Sequence, residues 1–262
     1  MSAKITRRGL LSAGAVSAAA PLAGCDAFDG WLRNDHAVRN FLEGSANGLS
    51  YRVQRLLTGG TGLAQEFTEA DIRQPMRPNG VTQPPDADYK ALAAAGFADW
   101  RLEITGLVDK SLSLSLADLR AMPAKTQITR HDCVEGWSCI AKWTGVPLAH
   151  VLDLAGVRDE ARFVLFRCMD TIERSLSGEV RYYESVDLVD ARHPQTILAY
   201  GMNDADLPVE NGAPLRLRVE RQLGYKMAKY LRSIELVSDL APFGDGKGGY
   251  WEDRGYEWYA GI

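Results

Sequence analysis

Apolar residues fall at every second position over several stretches of the chain. Trp100, Leu102 and Ile104 alternate with Arg101 and Glu103, and after a turn at Gly106 the same period returns in Leu112, Leu114 and Leu116. Successive side chains of a strand point to opposite faces, so this alternation predicts strands with one buried face. A short helix is predicted at 119–122, and further strands at 126–130, 163–167, 196–200, 215–219 and 230–237. Turn residues separate them, as at Asn203-Asp204 and Asn211-Gly212-Ala213-Pro214. Residues 143–155 are expected to begin as a loop and become an amphipathic helix, with Pro147 near its first turn and Gly156 just past its end. Cys133 then falls where a strand runs out into a loop. The sum is an α+β fold, a single strand-rich mixed domain.

That domain is expected to cover residues 96–262. Residues 26–95 are loop-rich, with Gly59-Gly60-Thr61-Gly62 and a proline-bearing stretch around Arg77-Pro78-Asn79-Gly80, and are expected to drape over it. Residues 1–25 differ again, because Arg7 and Arg8 precede a small, apolar run at 13–24 that is too short to span a bilayer comfortably. A twin arginine in that position marks an export signal for proteins that cross the membrane already folded, which fits a cofactor inserted in the cytoplasm. Leu22-Ala23-Gly24-Cys25 resembles a bacterial lipobox, so a periplasmic protein with a lipid anchor at Cys25 is expected, retained at the inner membrane by Asp26. The plainer reading of the segment is a cleavable signal without lipidation.

Composition narrows the function. Apolar residues make up 46% of the chain, enough for a substantial core, and the net charge of -4 gives no reason to expect a nucleic-acid partner. After Cys25, three cysteines remain, Cys133, Cys139 and Cys168, an odd number that does not suggest a disulfide framework. One pair could close, Cys139 with Cys168, and whether it does is left open; Cys133 is then the thiol to explain. The histidines His36, His131, His150 and His193 form no spacing with the cysteines that would build a structural zinc site. Cys133 is flanked in sequence by Arg130, His131 and Lys142, positive surroundings that lower a thiol's pKa and favour the thiolate, a ligand for a soft metal. The competing reading is a buried, inert cysteine.

The run Arg130-His131-Asp132-Cys133-Val134-Glu135-Gly136-Trp137-Ser138, followed by Lys142-Trp143-Thr144-Gly145-Val146-Pro147-Leu148, resembles the molybdopterin-binding signature of the sulfite oxidase family. Further segments follow in that family's order: Tyr182-Tyr183-Glu184-Ser185, Leu198-Ala199-Tyr200-Gly201-Met202-Asn203, Asn211 to Arg216, Gly224 to Tyr230, and the tail from Gly249 to Tyr256. The resemblance implies the family's molybdopterin-binding fold and a molybdenum-molybdopterin cofactor whose metal is ligated by Cys133. It implies that Tyr182 and Arg130 act beside the metal, and strand alternation then turns Tyr183 to the other face. Asn211, Arg216, Met227, Ala228 and Lys229 are implied to hold the pterin and its phosphate, where charge-assisted donors are needed. Arg77 and Asn79 are implied to touch the cofactor again, and Asp170 to lie close to it. Glu135 and Trp137 are expected to shape the pocket, and the aromatic tail to pack back as a terminal strand.

In this family an oxygen atom moves between substrate and metal while electrons pass to or from a partner. A small sulfur-containing substrate, sulfite or sulfoxide, is therefore expected, with a separate haem-type redox partner, a membrane haem protein or a cytochrome c. The run around Cys133 looks at least as close to the family's exported sulfoxide-reducing branch as to its sulfite enzymes. An oxyanion such as sulfite calls for several arginines near the metal, for which Arg130, Arg167, Arg174 and Arg181 are the candidates. Ending at Ile262, the chain is expected to lack the extra C-terminal dimerisation domain of vertebrate and plant members. Two other classes compete: a lipid-anchored periplasmic binding protein without turnover, and a cysteine-nucleophile enzyme with His131 as base. The second fits poorly, because a nucleophile wants its base on a separate element.

Overall fold

The computed structural model describes residues 61–175 and 178–262, together with residues 48–49, 51–53 and 55–56. The signal and lipobox expected at 1–25 lie outside the described residues. The chain divides into two compact units, Met1–Val53 and Gln54–Ile262. Of the first, the described residues are helical; the account below concerns the second.

Two five-stranded sheets make up this unit. The first contains β1 (Arg101–Gly106), β2 (Leu112–Ser115), β5 (Phe163–Ser175), β6 (Gly178–Asp187) and β10 (Leu231–Val237), in the order β2-β1-β10-β5-β6. Neighbours are antiparallel except β1 and β10, which run parallel from Glu103↔Ser233 to Gly106↔Leu236. The second sheet contains β3 (Lys125–Cys133), β4 (Trp137–Pro147), β7 (Ile197–Met202) and β8 (Ala205–Asp206) in that order, with β9 (Arg216–Arg218) also paired to β7. Among the described residues, the sheets are flanked by α1 (Ala87–Ala94), α2 (Leu116–Ala121), α3 (Leu148–Ala155) and α4 (Leu188–Ala191). No helix among the described residues is long and apolar enough to cross a membrane.

The alternation seen in the sequence becomes burial. Leu102 and Ile104 of β1 are fully buried, as are Val164 and Phe166 of β5 and Ile234 and Leu236 of β10. They join Leu198 and Leu217 of the second sheet in one core cluster, and each such side chain removed from water contributes about 1.5–3 kcal/mol. α2 opens with a reciprocal cap, Ser115 accepting from the Asp118 backbone N–H while the Asp118 carboxylate accepts from that of Ser115.

Two expectations need correction, and the cysteine pairing left open is answered. Residues 143–147 are strand, not loop: β4 is paired with β3 along one edge, from Cys133↔Trp137 to Lys125↔Gly145, and with β7 along the other. Pro147 is the residue before α3 begins, and Gly156, at φ 69, ends it. Cys139 and Cys168 are free thiols, because Cys139 packs with Trp143 on β4 while Cys168 lies on β5 in the other sheet's core. The aromatic tail packs back as expected, but through a 3-10 turn, Glu252–Arg254, rather than as a strand.

Candidate active site

A cavity of about 280 Å³ opens where the end of β3 faces the middle of β5 and β6. β3 contributes Cys133, and the turn after it Val134 and Glu135. The first sheet gives Asp170, Ile172 and Tyr182. The segment after β9 gives Gly224, Tyr225, Met227 and Lys229, while Asn79 to Val81 and Trp251 close the remaining sides. Of the residues expected at the site, Asn79, Cys133, Asp170, Tyr182, Met227 and Lys229 therefore share one cavity.

Alternation along β3 sorts the residues around Cys133. Gln127, Thr129 and His131 are buried on the face that Cys133 continues, whereas Arg130 is exposed on the opposite face and binds Asp132 at 2.8 Å. Arg130 is not beside Cys133, because residues three apart on a strand point to opposite sides. Lys142 is likewise committed elsewhere, to Glu69 at 2.5 Å and Asp204 at 2.6 Å. The expected cationic setting of Cys133 is therefore absent among its sequence neighbours. Burial pushes the thiol up, against a backbone N–H of Glu135 that favours the anion. A bound metal supplies the positive charge that makes such a thiol a thiolate.

Behind Cys133 lies a buried cationic layer that rests on Trp143. Arg216 and Arg218 alternate on β9, so both side chains face the Trp143 ring, at 5.0 and 4.3 Å from its centre. Arg218 is paired with Glu220 at 2.6 Å and bonds His131 Nδ1 at 3.0 Å. That contact leaves the proton of a neutral imidazole on Nε2. Burial, then Arg218, depresses the His131 pKa well below its usual value. Arg216 has no carboxylate in ion-pair range among the described residues; it donates to the carbonyls of Asn211 at 2.8 Å and Met227 at 3.4 Å, and its Nε has no partner. Burial, then Arg218, lowers its pKa to about 9.

Two glycines let this layer close. Gly212, at φ 115, ends the 3-10 turn Val209–Asn211, and a Cβ there would lie 3.0 Å from the Lys229 side chain. A Cβ on Gly224 would come within 2.4 Å of His131 Cε1 and Nε2. Asn211, 1% exposed, is left with both amide atoms unpartnered, as is His131 Nε2. An uncompensated buried guanidinium beside an unsatisfied amide is costly unless a ligand supplies an anion and complementary hydrogen bonds. The donor set fits a pterin carrying a phosphate.

The remaining expected residues take other places. Lys229 Nζ donates to the carbonyls of Asn79 at 2.5 Å, Val81 at 2.5 Å and Glu210 at 3.0 Å, which uses all three of its protons. Burial and the repulsion of Arg216 pull its pKa to about 7. Ala228 is buried and contributes its carbonyl to Leu217 N at 2.8 Å. Arg77 lies over the Trp137 ring, 4.7 Å from its centre and outside the cavity wall. Tyr182 faces the cavity and donates to the Tyr225 carbonyl, while Tyr183 points away and donates to Asp253.

Trp143, Arg218, Gly224 and Trp251 belong to the site or its support and were given no role there by the sequence, while His131 was read as a positive neighbour of Cys133 rather than as a neutral donor. For His131 and Arg218 the signal was available, since each lies two residues along a strand from an expected site residue.

A family described as the oxidoreductase molybdopterin binding domain matches residues 89–242. The chain is 39% identical over 209 residues to a protein of Azospira oryzae named as a candidate protein-methionine-sulfoxide reductase subunit, YedZ1, covering 80% of this chain and 72% of that protein. It is 35% identical over 157 residues to the protein-methionine-sulfoxide reductase catalytic subunit MsrP of Xanthomonas campestris, covering 58% of this chain and 49% of that one. For MsrP of Campylobacter jejuni the identity is 33% over 148 residues, covering 54% and 50%. The matches thus span about half the length of these MsrP subunits. Among solved structures, the sulfane dehydrogenase SoxCD of Paracoccus pantotrophus aligns with a TM-score of 0.47 and 23% identity over 58% of this chain and 45% of that chain.

Proposed function

The chain belongs to the sulfite oxidase family of molybdopterin-binding oxidoreductases, and from that premise we propose that it reduces a neutral sulfoxide in the cavity beside Cys133. The observation that carries this reading is the cavity wall, which contains no arginine among the described residues. The four arginines available for sulfite are each tied to a carboxylate outside that wall: Arg130 to Asp132, Arg167 to Glu235 at 3.0 Å, Arg174 to Glu179 at 3.1 Å, and Arg181 to Asp88 at 3.4 Å. Binding an oxyanion without such partners forfeits the charge-assisted hydrogen bonds that would offset its desolvation. Val81, Ile172, Met227, Tyr225 and Trp251 instead offer apolar and aromatic surface suited to the thioether end of a substrate. The relatives named as methionine sulfoxide reductase subunits support the same class, with methionine sulfoxide, free or within a peptide, as the substrate.

In this reading Cys133 ligates the molybdenum, and Asn211 and Arg216 hold the pterin and its phosphate, with His131 Nε2 as a further donor. Met227 and Ala228 contribute backbone, and Lys229 fixes the Asn79 to Val81 wall. The cofactor supplies two-electron exchange at sulfur with transfer of one oxygen atom. The protein binds the thioether arms and excludes water along the apolar walls, with the donors of Asn211, Arg216 and His131 buried behind the wall. Electrons come from a separate haem-type partner, and the twin arginine and Cys25 support export to the periplasm with a lipid anchor.

The test compares the wild type with Cys133→Ala, both made in a host that synthesises the cofactor, for molybdenum per chain and for turnover of methionine sulfoxide and sulfite. Near-stoichiometric metal lost in the variant, with sulfoxide the preferred substrate of the wild type, is expected. Preferred turnover of sulfite would reassign the substrate, and full metal content in the variant would remove Cys133 as ligand.

A further inference from the structure

β5 and β6 are in register from Phe163↔Asp187 to Arg167↔Tyr183, and pairing resumes at Thr171↔Arg181. Between these points Cys168, Met169 and Asp170 face Tyr182 alone, so β5 carries a bulge. Bulges next to active sites re-aim side chains, and here Asp170 enters the cavity wall that also holds Cys133. The irregular stretch is fixed from its other side, where Met169 N donates to the Tyr230 carbonyl at 2.9 Å and Tyr230 itself adopts φ 57.

Asp170 is 3% exposed, and its Oδ1 has no partner. The charged and titratable groups around it are Lys229 across the cavity wall, Asp86 and Tyr89 from the N-terminal side, Arg181 and Tyr182 on β6, and Cys168 and Tyr230 beside the bulge. None relieves it directly. Asp86 is bound to Thr171, and the Lys229 protons are spent on three carbonyls.

We propose that Asp170 is the proton donor of this pocket, a catalytic residue that protonates the oxygen leaving the substrate sulfur. The proposal rests on the sulfoxide reading. Reduction of a sulfoxide, R2SO + 2e− + 2H+ → R2S + H2O, breaks the sulfur–oxygen bond and forms two O–H bonds. The two electrons come from the reduced molybdenum cofactor, itself reduced by a one-electron donor. Asp170 supplies one proton and solvent entering the cavity mouth the other, and the Asp170 carboxylate regains its proton from water before the next turnover.

Other groups of the wall are committed or misplaced. Tyr182 donates to the Tyr225 carbonyl, Tyr225 to the Glu257 carbonyl at 2.6 Å, and Cys133 is the metal ligand. Glu135 is 57% exposed and accepts from Trp137 Nε1. Burial, opposed in part by its own backbone N–H and by Lys229, raises the Asp170 pKa to about 7, where a carboxylic acid can both hold and release a proton near neutrality.

Asp170→Asn keeps the shape and a hydrogen-bonding amide but removes the transferable proton. Holoenzymes of both forms, supplied with a reduced one-electron dye, are compared for molybdenum per chain and for kcat and KM on methionine sulfoxide across the neutral pH range. Equal metal is expected, with kcat lowered ~100-fold or more in the variant and KM within a few-fold. The wild-type kcat should fall as pH rises through about 7, and that dependence should vanish in the variant. Lost molybdenum would make Asp170 a cofactor holder and overturn the proposal, as would full turnover with an unchanged pH profile. Infrared difference spectroscopy provides a readout independent of turnover. A protonated-carboxyl band present in the wild type near neutral pH and missing from Asp170→Asn supports the proton store even if the wild type reduces no sulfoxide, an outcome that sinks the substrate reading alone. Absence of that band from the wild type overturns the proposal.

Discussion

At the scale of the residue, the site depends on atoms that are missing as much as on those present. Gly224 has no Cβ, and the His131 ring occupies the space where one would lie, 2.4 Å from ring atoms on β3. Gly224→Ala must displace the imidazole, the turn or both. Overpacking of this kind costs about 1–3 kcal/mol, and the expected result is a lowered melting temperature together with reduced molybdenum per chain. Unchanged metal content would show that the position of His131 is immaterial to the cofactor. Residue identity near Cys133 was legible because the local run is distinctive. Direction was legible too, but by a different rule: strand alternation sends Arg130 away from Cys133 and keeps His131 with it, whatever the resemblance of the motif suggests. What no local reading supplies is the ring beneath Arg216, since Trp143 reaches it through the fold.

At the scale of the element, three pieces of the cavity wall are tied by one buried cation. Lys226, in the 3-10 turn Gly224–Lys226, bonds Glu184 of β6 and Glu252 of the tail turn, each at 2.5 Å, and all three side chains are at most 1% exposed. Each sits within two residues of a wall residue: Tyr225, Tyr182 and Trp251. Lys226→Met leaves two carboxyls in a dry site, and breaking such a cluster typically costs about 3–5 kcal/mol. Burial and then Glu252 already push the Glu184 pKa well above the usual carboxylate range. A folded-state pKa above the unfolded one favours the fold at low pH and loses that contribution as pH rises through the folded value. The deficit of Lys226→Met in urea unfolding should therefore narrow on acidification; a pH-independent deficit would contradict the account. Elements themselves were read well where one face is wet, as in β1. β4 was misjudged beyond Trp143 because Gly145 and Pro147 look like loop residues, and its strand character there comes from neighbours on both edges.

At the scale of the whole molecule, Lys229 joins segments that are far apart in sequence. Its bonds to Asn79 and Val81 anchor the N-terminal approach to the segment before β10. Lys229→Met should raise amide hydrogen exchange at residues 78–82 and at the carbonyl-bearing neighbours of Glu210, and lower metal content, while exchange in β1 stays slow. Uniformly faster exchange would indicate global destabilisation instead. The layered class of the fold followed from alternating strands, but the order β2-β1-β10-β5-β6 did not, because period two says nothing about which distant strand lies alongside. That order bears on how the protein is made. β10 is the last strand to leave the ribosome, yet it is the middle of its sheet. Until it emerges, the β1–β2 and β5–β6 hairpins wait with open edges and the register at the Asp170 bulge lacks its second partner, and Trp251 of the cavity wall is made later still. The cavity is therefore complete only after residue 251 has been made, and a chain stalled just before residue 231 would offer two unpaired strand edges to any neighbour.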